Sequence, residues 1–199
     1  FEEAVVAFRK ALSLAPQRAD IHFNLGNVYK SLAKDSEALR EFSLALKLDP
    51  GFVPAYNNLG TVLERQNRFD EAIATYRRGI EQDFNQPNLH YNLGIALQKQ
   101  GDLHEAELEF KQALKVRPGW VEAMNNLGVI LESQGKNKEA LQVFQAILKT
   151  DPVNLQARNN LGVVYGQLGM NDEAVRHYRE ALEIDPSYFP AVSNLGSLF

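Results

Sequence analysis

Apolar residues recur at helical spacing along the whole chain, in two alternating stripes of different composition. One stripe contains Ala123, Leu127, Ile130 and Leu131, at successive intervals of four, three and one residues. The other contains Leu103, Ala106, Phe110, Ala113 and Leu114. Residues at such intervals lie on one face of an α-helix. The pattern therefore predicts alternating amphipathic helices, each with one buried face.

The triplet Asn-Leu-Gly recurs six times at a fixed interval of 34 residues. Its asparagines are Asn24, Asn58, Asn92, Asn126, Asn160 and Asn194. A fixed period of this length is typical of stacked helical hairpins, in which each repeat packs only against its neighbours. We therefore predict an all-α fold, an α-α superhelix (solenoid) of stacked helix hairpins.

Counting each repeat from Ala19 as position 1 divides the chain into full and partial repeats. The full repeats are residues 19–52, 53–86, 87–120, 121–154 and 155–188. Residues 1–18 correspond to the second helix of a preceding repeat, and residues 189–199 to the first helix of a following one. Residues 1–199 are thus predicted to form one array that starts and stops within a repeat.

Glycine stands inside the first helix of each repeat, at position 8, where it costs about 1 kcal/mol relative to alanine. We expect a second helix to approach closely there, with a small residue and an aromatic such as Ala140 and Phe144 facing the gap. Between the two helices, position 15 holds glycine in three repeats but Asn67 and Ala33 in two others. Alanine adopts the left-handed conformation poorly, so we expect a less regular turn at Ala33.

These features resemble the tetratricopeptide repeat. The resemblance rests on the Leu-Gly pair, the Tyr or Leu three residues after that glycine, the alanine and aromatic of the second helix, and the closing proline. It is weakest at position 4, which holds His22, Tyr56, His90, Met124, Arg158 and Val192. The resemblance implies antiparallel helix pairs in a right-handed superhelix, with first helices lining a concave groove. It also implies a scaffold for protein-protein interaction that binds a partner protein or an extended peptide.

By this resemblance, the exposed face of the first helices is the candidate peptide-binding surface. The six triplet asparagines, here called the asparagine ladder, offer amide donors and acceptors to a peptide main chain. Phe23 and Tyr91 add aromatic surface, and Ile95, Val129 and Val163 form an apolar strip at position 9 of consecutive repeats. A similar ladder is a feature of the repeat region of O-linked N-acetylglucosamine transferase. The alternative is that each asparagine bonds to an adjacent helix and has a structural role.

Composition argues against several other classes of function. A net charge of −4 without a basic stripe disfavours nucleic acid as the partner. No apolar run approaches the roughly 20 residues that span a bilayer, so membrane insertion is not expected. The four histidines are dispersed and no nucleophile has a base partner, which predicts no catalytic residues, no metal and no cofactor. The absence of cysteine fits a cytoplasmic protein without excluding the periplasm.

Two further hypotheses remain open. The array is either the targeting arm of a larger enzyme, such as a glycosyltransferase, or a self-assembly module whose partner is another copy. Leu195 and Phe199 lie near an end that has no polar cap, so we expect end-to-end association or a longer parent chain. A clamp for the C-terminal carboxylate of heat-shock chaperones is not expected, because Phe23, Asn88 and Asn92 replace its three cations.

Overall fold

The computed structural model describes residues 1–198, and within them the chain forms twelve α-helices joined by short turns. They are α1 (Glu2–Leu14), α2 (Ala19–Ser31), α3 (Asp35–Leu48), α4 (Val53–Arg65), α5 (Phe69–Gln82), α6 (Pro87–Gln100), α7 (Leu103–Val116), α8 (Val121–Ser133), α9 (Asn137–Thr150), α10 (Leu155–Gln167), α11 (Asn171–Ile184) and α12 (Phe189–Ser197). Residues 1–198 contain no β-strand, so the predicted all-α fold is confirmed. Phe199, which the sequence assigns to the last repeat, lies outside the described residues.

The chain divides into two compact units, Phe1–Glu109 and Phe110–Phe199, and the division falls within α7. In unit 1 each helix from α1 to α6 packs against the next, and α4 also contacts both α2 and α6. In unit 2 each helix from α8 to α12 packs against the next, and α10 also contacts both α8 and α12. Each unit is therefore a stack of hairpins in which the first helices of successive repeats are neighbours.

The glycine at position 8 provides the contact point between the two helices of a hairpin. A Cβ atom built on Gly26 would lie 2.7 Å from the ring of Phe42, and one built on Gly128 would lie 2.5 Å from the ring of Phe144. The rings of Tyr76 and Tyr178 cover Gly60 and Gly162 in the same way. These aromatic residues are almost completely buried. The expectation of close helix approach at this glycine is confirmed.

The turn at Ala33 is as regular as the turns that contain glycine, so the expectation of a less regular turn was wrong. Ala33 adopts a left-handed conformation with φ of 55°, close to the 73° of Gly135. Lys34 N donates to Tyr29 O at 2.9 Å, as Lys136 N donates to Leu131 O at 2.8 Å. The hydrogen bonds and the packing of the two helices therefore hold alanine in a conformation that costs it roughly 1–2 kcal/mol.

In four of its six occurrences, position 4 joins successive repeats through a hydrogen bond to the carbonyl group at position 32 of the preceding repeat, whereas Met124 and Val192 carry no donor. The pairs are His22 with Pro16, Tyr56 with Pro50, His90 with Phe84 and Arg158 with Pro152, at N···O or O···O distances of 3.2, 3.0, 2.9 and 2.6 Å. The carbonyl groups belong to the short connections between repeats. The position at which the sequence matches its family least is thus a recurrent point of attachment between repeats.

Candidate functional site

The asparagine ladder lies on the first helices of both units. Asn24, Asn58 and Asn92 belong to α2, α4 and α6 in unit 1. Asn126, Asn160 and Asn194 belong to α8, α10 and α12 in unit 2. Asn24 is exposed and the other five are half-buried. Each unit therefore has three ladder residues on neighbouring helices.

Three ladder residues tie neighbouring first helices together. The Nδ2 group of each donates a hydrogen bond to the Oδ1 atom of an asparagine in the preceding repeat. The pairs are Asn58 to Asn27, Asn92 to Asn57 and Asn194 to Asn159, with Nδ2···Oδ1 distances of 2.7, 2.8 and 2.9 Å. An amide NH2 group carries two hydrogens, so each bond uses one of them. The structural role considered as the alternative is therefore present at these three positions.

Asn160 differs from these three. By analogy with the Asn92 and Asn194 pairs its partner would be Asn125, but Asn125 Oδ1 is buried without a hydrogen-bond partner among the described residues. Asn160 lines a small cavity of about 20 Å³ together with Val129 and Val163 of the apolar strip. A cavity of that size holds one water molecule. Asn160 is thus a ladder amide beside two half-buried apolar side chains.

The aromatic and apolar candidates contribute partly to the core. The ring centroid of Phe23 lies 5.8 Å from that of Phe42 and 5.0 Å from that of Phe52. Val163 packs against the buried cluster that includes Tyr178. Tyr91, Ile95 and Val129 are half-buried on the first helices. Each of these side chains therefore retains only part of its surface for a ligand.

Unit 1 contains a cleft between the starts of α4 and α6, with a volume of about 200 Å³. Four amide side chains line it, those of Asn57, Asn58, Gln86 and Asn88. Val53, Pro54 and Leu89 form its apolar part. Of these residues only Asn58 was a candidate from the sequence. Asn57 and Asn88 occupy positions 5 and 2 of successive repeats, and only the stacking of α4 on α6 brings them together.

Three basic side chains near the C-terminal ends of the first helices of unit 1 form hydrogen bonds or ion pairs within that unit. Lys30 Nζ donates to Asn58 Oδ1 at 3.0 Å, and Lys99 Nζ lies 3.1 Å from Glu64. Arg65 forms an ion pair with Asp35. Burial lowers the pKa of Lys30 below its ordinary value, and the charge of nearby Arg65 acts in the same direction.

Within residues 1–198, no three His, Asp or Glu side chains are placed to hold a metal ion. None of the helices in that range combines the length and apolar character needed to cross a membrane.

Family models for tetratricopeptide repeats match the chain in overlapping segments. Models described as tetratricopeptide repeat match residues 19–52, 41–74, 91–154 and 155–188. A model described as TPR repeat matches residues 1–32 and 63–101. Together these segments cover residues 1–188 without a gap. No curated protein sequence matches the chain.

Several solved structures have a similar fold. YrrB, described as a TPR protein with an unusual peptide-binding site, is 27% identical over 94% of this chain and 96% of its own, with a TM-score of 0.83. MamA from Desulfovibrio magneticus RS-1 is 26% identical over 73% of this chain and 82% of its own, with a TM-score of 0.68. PilF from Pseudomonas aeruginosa is 21% identical over 98% of this chain and 89% of its own, with a TM-score of 0.81.

These matches do not support the likeness of the ladder to the glycosyltransferase repeat region. They agree with the 34-residue period, the glycine-aromatic contacts and the stacked hairpins. This chain belongs to the tetratricopeptide repeat family.

Proposed function

We propose that this chain is a non-enzymatic scaffold whose first helices bind an extended segment of a partner protein. The observation that carries the proposal is the amide-lined cleft between α4 and α6 in unit 1. Proteins of this family bind protein partners, and YrrB, a similar structure, is described as having a peptide-binding site. Its 27% identity over most of both chains supports peptide binding by this chain.

The chemistry of the cleft suits a peptide main chain. Asn88 is exposed and its amide provides donors and an acceptor. Asn58 is half-buried and retains the one Nδ2 hydrogen that its bond to Asn27 leaves free. Val53, which is half-buried, and Pro54, which is exposed, provide apolar contact for one side chain. The volume of about 200 Å³ is below the roughly 300–1,000 Å³ of small-molecule pockets, so it fits one or two peptide residues better than a metabolite. Each hydrogen bond is worth roughly 0.5–1.5 kcal/mol, and a few together give modest affinity with little sequence preference.

Unit 2 would add selectivity. Val129 and Val163 flank the Asn160 amide, so a ligand segment that bonds to Asn160 places a neighbouring side chain against an apolar surface. A ligand with an apolar residue at that point gains burial, and a ligand with a charged residue loses hydration.

The test is titration of the chain with two unrelated peptides selected from a random display library, measured by fluorescence anisotropy. Asn88→Ala is expected to weaken both peptides by similar factors of roughly 2–10, the equivalent of one hydrogen bond. Asn85→Ala is the matched control, because Asn85 is exposed nearby but does not line the cleft. Equal binding by the Asn88 variant and the control would contradict the proposed cleft.

A second pair of variants tests unit 2. Asn160→Ala is expected to weaken both peptides, whereas Val129→Asp weakens only the peptide that places an apolar residue there. Thermal melts of each variant separate loss of binding from loss of folding, since Val129 is half-buried. If Val129→Asp weakens both peptides equally without a change in melting temperature, selectivity does not come from the apolar strip.

A further inference from the structure

A groove lies between two second helices of unit 1, α3 and α5, which both pack against α4. Its volume is about 390 Å³, and it shares no residue with the cleft between α4 and α6. Leu39, Leu59 and Leu63 line its apolar part, and Ser43 and Thr75 each contribute a hydroxyl group. The three leucines are buried or half-buried whereas Ser43 is exposed, so the groove combines an apolar interior with a polar edge.

In unit 2 a tyrosine ring occupies the corresponding space between the second helices α9 and α11. The ring of Tyr165, from α10, stacks on His177 of α11 with centroids 5.3 Å apart. Its hydroxyl group accepts a hydrogen bond from Gln145 Nε2 of α9 at 3.4 Å. The residues of unit 1 at the positions of Tyr165, His177 and Gln145 are Leu63, Thr75 and Ser43. All three are shorter, so unit 1 leaves open the space that a ring occupies in unit 2.

Arg40 gives this groove a positive charge. Its side chain is 77% exposed, and its Nε atom lies 3.7 Å from Glu41 Oε1, which is beyond hydrogen-bonding distance. The other oxygen of Glu41 is held by His22 Nδ1 at 2.6 Å. Arg68, the second arginine of the groove, donates two hydrogen bonds to Glu71 at 2.6 and 2.7 Å, so that pair carries no net charge. An acidic group that enters the groove is therefore expected to pair with Arg40.

We propose that this groove binds an extended segment of a partner protein in which a tyrosine precedes an acidic residue. The tyrosine ring lies over Leu63, between Ser43 and Thr75, in the place that the ring of Tyr165 takes in unit 2. The two hydroxyl groups of the groove bond to the tyrosine hydroxyl, and the neighbouring carboxylate pairs with Arg40. This surface belongs to the second helices, so it goes beyond the cleft proposed above and does not depend on it.

The test is titration of the labelled chain with capped tetrapeptides, followed by shifts of the backbone amide resonances in NMR spectra. The first peptide has the sequence Gly-Tyr-Glu-Gly, and at millimolar concentrations it is expected to shift the resonances of Ser43 and Thr75. Replacing its tyrosine by alanine removes the buried ring and is expected to weaken binding about tenfold. Replacing its glutamate by glutamine removes the exposed ion pair with Arg40 and is expected to weaken binding roughly 2–5-fold.

Variants of the chain locate the binding. Ser43→Tyr places a ring in the groove from α3, and is expected to weaken the first peptide by at least about tenfold. Ser36→Tyr is the matched control, because it adds the same side chain at an exposed position of α3 that does not line the groove. Arg40→Gln is expected to bind the glutamate and glutamine peptides equally. Asn88→Ala changes only the cleft between first helices and is expected to bind like the parent, so the two proposals fail separately.

Four results would overturn the proposal. The first is the absence of shifts at Ser43 and Thr75 with millimolar peptide, and the second is equal binding by Ser43→Tyr and Ser36→Tyr. The third is an Arg40→Gln variant that still prefers the glutamate peptide. The fourth is binding of free hydroxyphenylpropanoate as tight as that of the first peptide, which would assign the groove to a small aromatic acid and not to a protein segment.

Discussion

At the scale of single residues, the ladder asparagines contribute to the attachment of one repeat to the next. Asn92 Nδ2 donates to Asn57 Oδ1 across α4 and α6. Both residues are half-buried, so loss of one partner leaves a polar atom poorly hydrated. Asn92→Ala is therefore expected to lower the free energy of unfolding by roughly 0.5–1.5 kcal/mol, measured by urea denaturation.

A double-mutant cycle with Asn57→Ala is the control for this prediction. If the bond contributes as described, the second substitution costs less in the Asn92→Ala background than in the parent chain. Strictly additive effects would show that the two amides act independently.

The left-handed turn residue gives a second prediction. Ala33 has a φ of 55°, which glycine adopts without strain. Ala33→Gly removes roughly 1–2 kcal/mol of strain, and the greater freedom of glycine in the unfolded chain offsets part of that gain. We expect a net increase of about 0.5–1 kcal/mol in the free energy of unfolding. Gly135→Ala, at the equivalent turn with φ of 73°, should shift stability in the opposite direction. A loss of stability in Ala33→Gly would disprove this account.

The sequence predicted some of these residue-level features and not others. The role of Gly128 followed from its position inside a helix, where its cost required a compensating contact. The partners of the ladder amides did not follow, because the bonded asparagines are 31 or 35 residues apart and the choice between them depends on side-chain rotamers. The turn at Ala33 was wrongly predicted because the two packed helices impose the left-handed conformation on alanine, and local propensity does not include that packing.

At the scale of the helices, two buried histidines link stability to pH in opposite directions. Burial of His90 disfavours its charged form. The hydrogen bonds to Glu109 Oε2, at 2.6 Å, and to the Phe84 carbonyl favour that form more strongly, so the pKa of His90 is raised above 6.5. Burial lowers the pKa of His177 below 6.5, and Glu180 at 3.6 Å compensates only in part. His177 also stacks on Tyr165, with ring centroids 5.3 Å apart.

The expected result is opposite changes in protection of α6 and α11. The contribution of His90 is fully present below pH 6.5 and is lost as the pH rises through its raised folded-state pKa. The contribution of His177 is present above pH 6.5 and is lost as the pH falls through its lowered folded-state pKa. Hydrogen exchange, corrected for intrinsic rates, should therefore show α6 more protected in mild acid and α11 less protected.

Glutamine variants are the controls for the pH experiment. His90→Gln should remove the pH dependence of α6 alone, and His177→Gln that of α11 alone. If the pH dependence of protection in α6 and α11 persists in both variants, groups other than these histidines cause it.

The helices themselves were well predicted from the sequence, because their apolar spacing and their turns are local signals. The amide-lined cleft was not, because its walls come from two helices of successive repeats and, apart from Asn58, its residues do not stand out in the sequence. The division of the chain within α7 also has no counterpart in the repeat pattern, which continues through that helix without a change.

At the scale of the whole molecule, the stacking of repeats predicts that a substitution in the core destabilises mainly the repeats around it. Leu93 and Leu127 are 1% and 5% exposed and occupy equivalent positions in units 1 and 2. Leu93→Ala or Leu127→Ala should each cost roughly 2–5 kcal/mol. Because repeats contact only their neighbours, hydrogen exchange should rise mainly in the unit that carries the substitution. A uniform rise from one end of the chain to the other would contradict this expectation.

The bonds from position 4 to the preceding connection have a further consequence for how such an array changes over time. His22, Tyr56, His90 and Arg158 differ in size, charge and aromaticity, yet each bonds to the equivalent carbonyl group at position 32 of the preceding repeat. Four of the six residues at position 4 are thus donors with sufficient reach that differ widely in the rest of the side chain, whereas Met124 and Val192 carry no donor. A single substitution at position 4 can therefore strengthen or weaken the hydrogen bond between two repeats, or make it depend on pH. The glycine-aromatic packing stays intact. The stiffness of each junction between repeats is consequently expected to depend on the residue at position 4.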